Sequence, residues 1–148
     1  MKVKFRKTDT NAFVPTKESK GAGAYDLYAP NDICIPEYSR HIIQTGIAME
    51  IPQGFVADIR PRSGYSAKGF ADNDGGRHNA DVILGTIDSD YRGSIGVIIR
   101  NNDKAFIVCR GQRIAQLLIH KAEDIEFEEV EELSQTERGE NGFNSTGI

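Results

Sequence analysis

The run VILGTIDSDYRGSIGVIIR, residues 82–100, decides the fold. Two apolar stretches rich in Val and Ile flank a polar turn that contains Asp88, Ser89, Asp90, Tyr91, Arg92 and Gly93. β-Branched residues on both sides of such a turn read as the two strands of a hairpin, 82–87 and 94–100. Outward from it the same pattern repeats. Further strands are expected at 3–6, 24–28, 40–45, 46–51, 55–60, 105–108, 114–120 and 125–130. Turn signals separate them, at Pro30-Asn31-Asp32, Pro36-Glu37, Pro52-Gln53-Gly54 and Asn101-Asn102-Asp103. Many short strands at this spacing predict an all-β sandwich or barrel. The only helical hint of any length is 122–133, which fits neither the helix nor the strand period well, and a turn of helix is also possible at 66–68.

Composition agrees with one folded unit. The chain has 148 residues, 39% hydrophobic and 27% charged, enough apolar material for a single core. Fifteen glycines and five prolines imply many turns. No apolar run approaches a membrane span, and the N-terminal MKVKFRK has no signal-type apolar segment. No membrane association is therefore expected, and the expected location is the cytoplasm, or the nucleus for a eukaryotic or viral protein. Cys34 and Cys109 have neither metal-site nor redox spacing, so two buried thiols in a reducing compartment are expected. The expected body is residues 1–133, with residues 134–148 as a C-terminal arm. Residues 71–80, ADNDGGRHNA, read as an exposed loop.

The net charge of −4 is unevenly divided. Residues 122–148 carry nine acids and one base, a balance of −8, whereas residues 1–121 balance at +4. A mildly basic body can steer a phosphorylated ligand, but +4 is too little to argue nucleic-acid binding. The three histidines are scattered, and there is no HExxH, Cys/His cluster, Walker loop or Gly-x-Ser-x-Gly. Gly21-Ala22-Gly23-Ala24 is not followed by a credible helix, so it is not a dinucleotide loop.

Four segments fit one anionic-ligand site. Arg60-Pro61-Arg62-Ser63-Gly64 sets two guanidiniums, a hydroxyl and flexible backbone at the end of a strand. Such donors are what phosphate oxygens require. Arg110-Gly111-Gln112-Arg113, followed by Ile114-Ala115-Gln116, adds more before a buried strand. The 85–93 hairpin turn supplies acids and a tyrosine. The tail supplies Arg138, Phe143, Ser145 and Thr146: a cation, a stacking ring and two hydroxyls. Together they suggest a triphosphate and a flat base.

Five segments in order carry a resemblance. They are Ala24-Tyr25-Asp26-Leu27, then Pro61-Arg62-Ser63-Gly64, then Gly85 to Gly93, then Gly111-Gln112-Arg113-Ile114-Ala115-Gln116-Leu117, then Arg138 to Gly147. This order resembles the five motifs of the trimeric deoxyuridine triphosphatases (dUTPases) across residues 21–147. The resemblance implies a distorted β-jelly roll, a homotrimer, and sites shared between subunits with the arm supplied by a third. It implies hydrolysis of dUTP to dUMP and pyrophosphate, which lowers dUTP for DNA synthesis and supplies dUMP.

Site roles follow from the same resemblance. Backbone groups around Gly85, Thr86, Ile87 and Gly96 would hold uracil, and cytosine would leave them unpaired, a penalty on the order of 10⁴-fold. Tyr91 would stack under the deoxyribose and crowd out a 2′-hydroxyl. Asp88 would orient the attacking water and accept its proton. Arg62, Ser63, Gly64 and Gln116 would contact the α- and β-phosphates, and Arg138 the γ-phosphate. Mg²⁺ would be held mainly by the triphosphate and waters, with Asp26 reaching it through water. Phe143 would cover the uracil as the arm closes, with Asn144, Ser145 and Thr146 beside it. No stable nucleic-acid binding is expected.

Three departures stand out. Ala24 replaces the usual glycine before the motif-one tyrosine. Asn144 replaces an arm glycine, and Asn is the best non-glycine occupant of a positive-φ position. Residues 71–80 lengthen the link between motifs two and three. Two rival functions fit the residues less well. A dCTP deaminase of the same fold needs a glutamate where this chain has about Ile98. A non-catalytic nucleotide sensor would not need Asp88, Tyr91 and the whole arm.

Overall fold

Strand β10 (Ser94–Asn101) shows how the sequence builds the core. Its alternate residues Ile95, Val97, Ile99 and Asn101 are buried. Period-two burial of this kind requires a sheet with one face packed and one face open. A computed structural model describes residues 1–142, and the sheets close around that strand. In chain order the other elements are β1 (Lys4–Lys7), β2 (Tyr25–Tyr28), β3 (Ile33–Ile35), β4 (Arg40–Glu50), β5 (Phe55–Arg60) and α1 (Ser63–Lys68). They are followed by β6 (Phe70–Ala71), β7 (Arg77–His78), β8 (Ala80–Ile83), β9 (Gly85–Ile87), β11 (Phe106–Val108) and β12 (Arg113–Lys121).

All pairings among these strands are antiparallel. One four-stranded sheet has the order β1-β4-β10-β8 and the other β2-β12-β5-β9. Two-stranded ribbons β11-β3 and β6-β7 complete the set. The expected all-β class holds, and the core lies among Leu27, Ile35, Ile43, Ile59, Phe70, Val97, Ile99, Ile114 and Leu117. Two buried polar groups find partners, one within the β4-β10 sheet and one at the loops beside it. Thr45 Oγ1 donates to the Ile95 carbonyl at 2.9 Å, and Asn101 Nδ2 donates to the carbonyls of Pro36 and Lys104 at 2.8 and 3.0 Å.

Several boundaries differ from the sequence expectation, each for a tertiary reason. The strands expected at 40–45 and 46–51 form one strand, β4, which passes through Gly46 at φ +71°. A side chain there would run into Asp9 and Ala12, so the left-handed, Cβ-free residue lets the N-terminal segment lie against β4. The strand expected at 82–87 splits at exposed Leu84, with β8 in one sheet and β9 in the other. The strand β3 follows a turn signal and was not expected. No strand forms at 125–130; Ile125 and Phe127 are exposed at 74% and 91%, because the alternation there meets no partner strand within the chain.

Residues 71–80 are not a plain exposed loop. They contain most of the β6-β7 ribbon, whose first residue, Phe70, is fully buried. The thiols also differ: Cys34 is exposed and Cys109 half-buried. The last strand ends at Lys121, and every described residue after it is exposed. No helix among the described residues is long and apolar enough to cross a membrane.

Candidate active site

Strand β5 ends at Arg60, Pro61 interrupts it, and Arg62 keeps an extended backbone (φ −74°, ψ 140°) before α1 begins at Ser63. Pro has no N–H for the sheet ladder, which is why the chain turns away here. Tyr65 then fixes the short helix: its hydroxyl donates to the Arg113 carbonyl at 2.6 Å and lies 3.3 Å from Gln112 Nε2. The result is a cavity of about 420 Å³ lined by Arg62, Ser63, Gly64, Tyr65, Ala71, Arg77 and Gln116.

Behind this cavity lies Asp26 on β2, 3% exposed. Register places it directly opposite Gln116 of β12. Its Oδ1 accepts from Arg62 Nε at 3.2 Å and from Gln116 Nε2 at 3.5 Å, and its Oδ2 accepts from Arg113 Nη1 at 3.4 Å. Arg113 also pairs with Glu18. Partial burial works against the charge of Arg113, but the Glu18 and Asp26 carboxylates outweigh it and hold the guanidinium above its ordinary range. The cluster is a buried carboxylate under two cations, with a hydroxyl and an amide at the rim. Such a wall suits an anion.

Its fit to a resident metal is poor. Among the described residues no three His, Cys, Asp or Glu side chains converge on a cation position. Both oxygens of Asp26 already accept from guanidinium or amide donors of its own chain. Asp26 is therefore placed as a partner of Arg62, Arg113 and Gln116 and not as a direct metal ligand, while the contact through water expected for it needs only one of its remaining lone pairs.

The 88–93 turn of the expected hairpin lines no part of that cavity, and the strands beside it do not pair simply: β10 pairs with β8, while β9 crosses to pair with β5 in the other sheet. The turn is closed by the Tyr91 N–H to the Asp88 carbonyl at 3.2 Å. Tyr91 Oη donates to the Ser94 carbonyl at 3.1 Å, and Arg92 Nη1 donates to the Ser89 and Tyr91 carbonyls at 2.6 and 2.9 Å. Side-chain to backbone bonds of this kind stiffen a turn. Asp88 and Tyr91 are both exposed. Ile87 points its side chain into the core, and a Cβ on Gly96 would stand 2.8 Å from Ile42.

Gly85 and Thr86 line a different cavity, about 550 Å³, with Asp58, Arg60, Pro61 and Leu84. There Asp58 accepts from Arg60 at 3.1 Å, Thr86 at 3.2 Å and His120 Nε2 at 3.0 Å. Burial would raise the Asp58 pKa, but these donors outweigh it and hold the carboxyl below its ordinary value. The Thr86 hydroxyl is thus engaged by Asp58, its register partner across the β5-β9 pair.

The sequence-expected residues therefore fall into separate groups within one chain. Arg62, Ser63, Gly64 and Gln116 share a cavity, with Asp26 behind it. Gly85 and Thr86 line another, and Asp88, Tyr91 and Gly96 line neither. Arg138 is exposed, its Nε donating to the Asn141 carbonyl at 2.8 Å. Phe143, Asn144, Ser145 and Thr146 lie outside the described residues. Sequence reading did not single out Arg113, Tyr65 or Arg77. Only the 110–116 run of donors hinted at the first.

Likeness to known proteins follows the same map. Residues 10–147 match the dUTPase family profile. The chain is 46% identical over 147 residues to the deoxyuridine 5′-triphosphate nucleotidohydrolase of Monkeypox virus, covering 99% of this chain and 91% of that one. The enzyme of the same name from Vaccinia virus (strain Copenhagen) is 45% identical, with 99% and 93% covered. A Staphylococcus bacteriophage 80alpha dUTPase with dUpNHpp superposes with a TM-score of 0.87 at 26% identity, over 99% of each chain. A dUTPase variant from phage phi11 of S. aureus, described for its coordination of a structural Mg(II) ion, shares the fold at a TM-score of 0.78 and 23% identity, over 89% of this chain and 98% of its own. A profile match over nearly the whole length, relatives above 40% identity and a common architecture agree: this chain belongs to the dUTPase family.

Proposed function

We infer that the protein is a dUTP diphosphatase, with Asp88 as the group that orients the attacking water. The observation that carries this is the Asp26-Arg62-Arg113-Gln116 wall beside Ser63, an anion-binding cavity built from the very segments that match the family. Water oxygen bonds to the α-phosphorus, the bond from that phosphorus to the bridging oxygen breaks, and pyrophosphate leaves. The Asp88 carboxylate takes the water proton. Arg62, Ser63 and Gln116 supply preorganised donors where negative charge shifts. Magnesium enters as the counter-ion of the triphosphate, as part of the substrate, and no residue of this chain is assigned to hold it.

The uracil-reading backbone of the Gly85–Gly96 region and the phosphate cavity are separate within one chain. This supports a homotrimer in which one subunit offers the hairpin and a neighbour offers the cavity. Exposed apolar residues on the segment after Lys121, Phe127 and Leu133 among them, also favour a covering partner. In this reading residues 134–148 form the arm that closes the site, bringing Arg138, Phe143, Asn144, Ser145 and Thr146 to the nucleotide.

Subunit mixing tests this arrangement. Asp88→Asn and Gln116→Ala proteins, each with low activity, are unfolded and refolded together at equal amounts. Shared sites predict recovery to about a quarter of wild-type activity, since half of the hairpins and half of the cavities are intact and independent assortment joins them. No recovery would assign both halves to one subunit. Turnover in heavy-oxygen water should place the label in dUMP, and label in pyrophosphate would reject attack at the α-phosphorus.

A further inference from the structure

We propose that Arg77, carried by the β6-β7 ribbon, is an additional guanidinium contact to the β- or γ-phosphate of the bound nucleotide; this rests on the dUTP reading above. Arg77 lines the same cavity as Arg62, Ser63 and Gln116, although it belongs to the lengthened segment that the motif resemblance does not explain. Charge pairing sets it apart. Arg62 and Arg113 both engage Asp26, and Arg113 also engages Glu18, so two guanidiniums face two carboxylates. Among the described residues Arg77 makes no ion pair, and its Nη1 donates only to the Gly69 carbonyl at 3.2 Å. It is the cation that leaves this cavity net positive. Arg77 is exposed at the rim of the cavity, where a positive charge beside a hydroxyl and an amide is matched by phosphate oxygens, and arginine's fork can engage two of them.

The ribbon is built to hold the backbone under that side chain in place. Asp72 accepts from the N–H groups of Gly76 and Asp74 at 2.7 and 3.0 Å and from His78 Nε2 at 2.9 Å. The His78 ring stacks on Phe106, with centroids 4.2 Å apart and planes at 14°. On the other strand, Gln112 Nε2 donates to the Ala71 carbonyl at 2.6 Å. Ala71 is the register partner of Arg77. A flexible surface loop would lose much of a contact to ordering entropy, whereas a residue on a fixed ribbon loses little.

The test compares wild type with Arg77→Ala and Arg77→Lys, titrated with dUMP and with dUpNHpp in the presence of Mg²⁺. Loss of one charge-assisted contact should weaken dUpNHpp binding by about tenfold. Binding of dUMP, which lacks the outer phosphates, should change by less than about twofold, and Arg77→Lys should recover part of the loss. Unchanged dUpNHpp affinity in Arg77→Ala, or equal weakening of both ligands, would overturn the proposal. Should Arg77→Ala lower the melting temperature, Arg77→Gln, which keeps a donor for the Gly69 carbonyl, takes its place with the same selective loss expected. Failure of the wild type to hydrolyse dUTP would instead reject the substrate reading. In that event inorganic tripolyphosphate, bound about tenfold less tightly by Arg77→Ala than by wild type, still supports the Arg77 contact, and equal binding overturns it.

Discussion

Arg62 Nε lies 3.2 Å from Oδ1 of Asp26, so a residue past the end of β5 and a buried carboxylate on β2 form one wall of the cavity proposed to take the phosphates. The pair does two jobs. It neutralises a carboxylate that is only 4% exposed at its side chain, and it aims the guanidinium edge at the cavity.

Replacing Asp26 by Asn keeps the shape and removes the charge, leaving Arg62 and Arg113 without their shared counter-charge. Breaking a fully buried pair costs about 3–5 kcal/mol, and because both arginines reach solvent a loss of about 2 kcal/mol is expected. Thermal melting should register it as a clear drop, together with a rise in KM for dUTP of about tenfold as Arg62 loses its aim. An unchanged melting temperature and an unchanged KM would contradict this role.

How far the sequence reaches is visible in these same residues. The strand at 55–60 coincides with β5, because its apolar pattern and the flanking Gly54 and Pro61 are local signals. The break at Leu84 is invisible locally, since the apolar run 82–84 continues and only pairing in two different sheets divides it. Asp72 and His78 read as solvated loop residues, yet their mutual bond lets the ribbon pack on Phe106. The site motifs are legible through family resemblance. The partners of Asp26 are not, because Arg113 and Gln116 stand 87 and 90 positions away and meet it only through the β2-β12 register.

Gly93 and Tyr91 are expected to govern sugar selectivity together. A Cβ on Gly93 would overlap the phenol of Tyr91, so Gly93→Ala must displace that half-exposed ring and break its bond to the Ser94 carbonyl. Stability should change little. The ratio of kcat/KM for dUTP over UTP should narrow by roughly tenfold, as the group proposed to crowd the 2′-hydroxyl moves away. A preserved ratio would assign the selectivity elsewhere.

The Asp72-His78 bond predicts a pH-dependent stability. The hydrogen bond from His78 lowers the Asp72 pKa, against some desolvation, with help from the N–H groups of Gly76 and Asp74. A carboxyl whose folded value lies below its unfolded value stabilises fully above the unfolded value, and loses that effect as pH falls through the lowered folded one. Asp72→Asn should therefore melt below wild type at neutral pH, with the gap closing once pH drops beneath the ordinary aspartate range. A gap independent of pH would show that packing alone is responsible.

Truncation after Leu133 should leave the melting temperature nearly unchanged, since the described residues beyond it are all exposed. It should lower kcat/KM for dUTP by roughly 10²-fold or more, the scale of losing oriented transition-state donors. Full activity without these residues would refute their role as a closing arm. A collapsed melting temperature would make them structural.

The central claim is a uracil-specific diphosphatase. Pyrophosphate release from dUTP, dTTP, dCTP and UTP, measured side by side with Mg²⁺, tests it most directly. Rapid release from dUTP is expected, with release at least about 10²-fold slower from the other three, because the backbone proposed to read uracil and the proposed position of Tyr91 at the sugar penalise each mismatch. No pyrophosphate from dUTP, or comparable rates on dTTP or UTP, would contradict it.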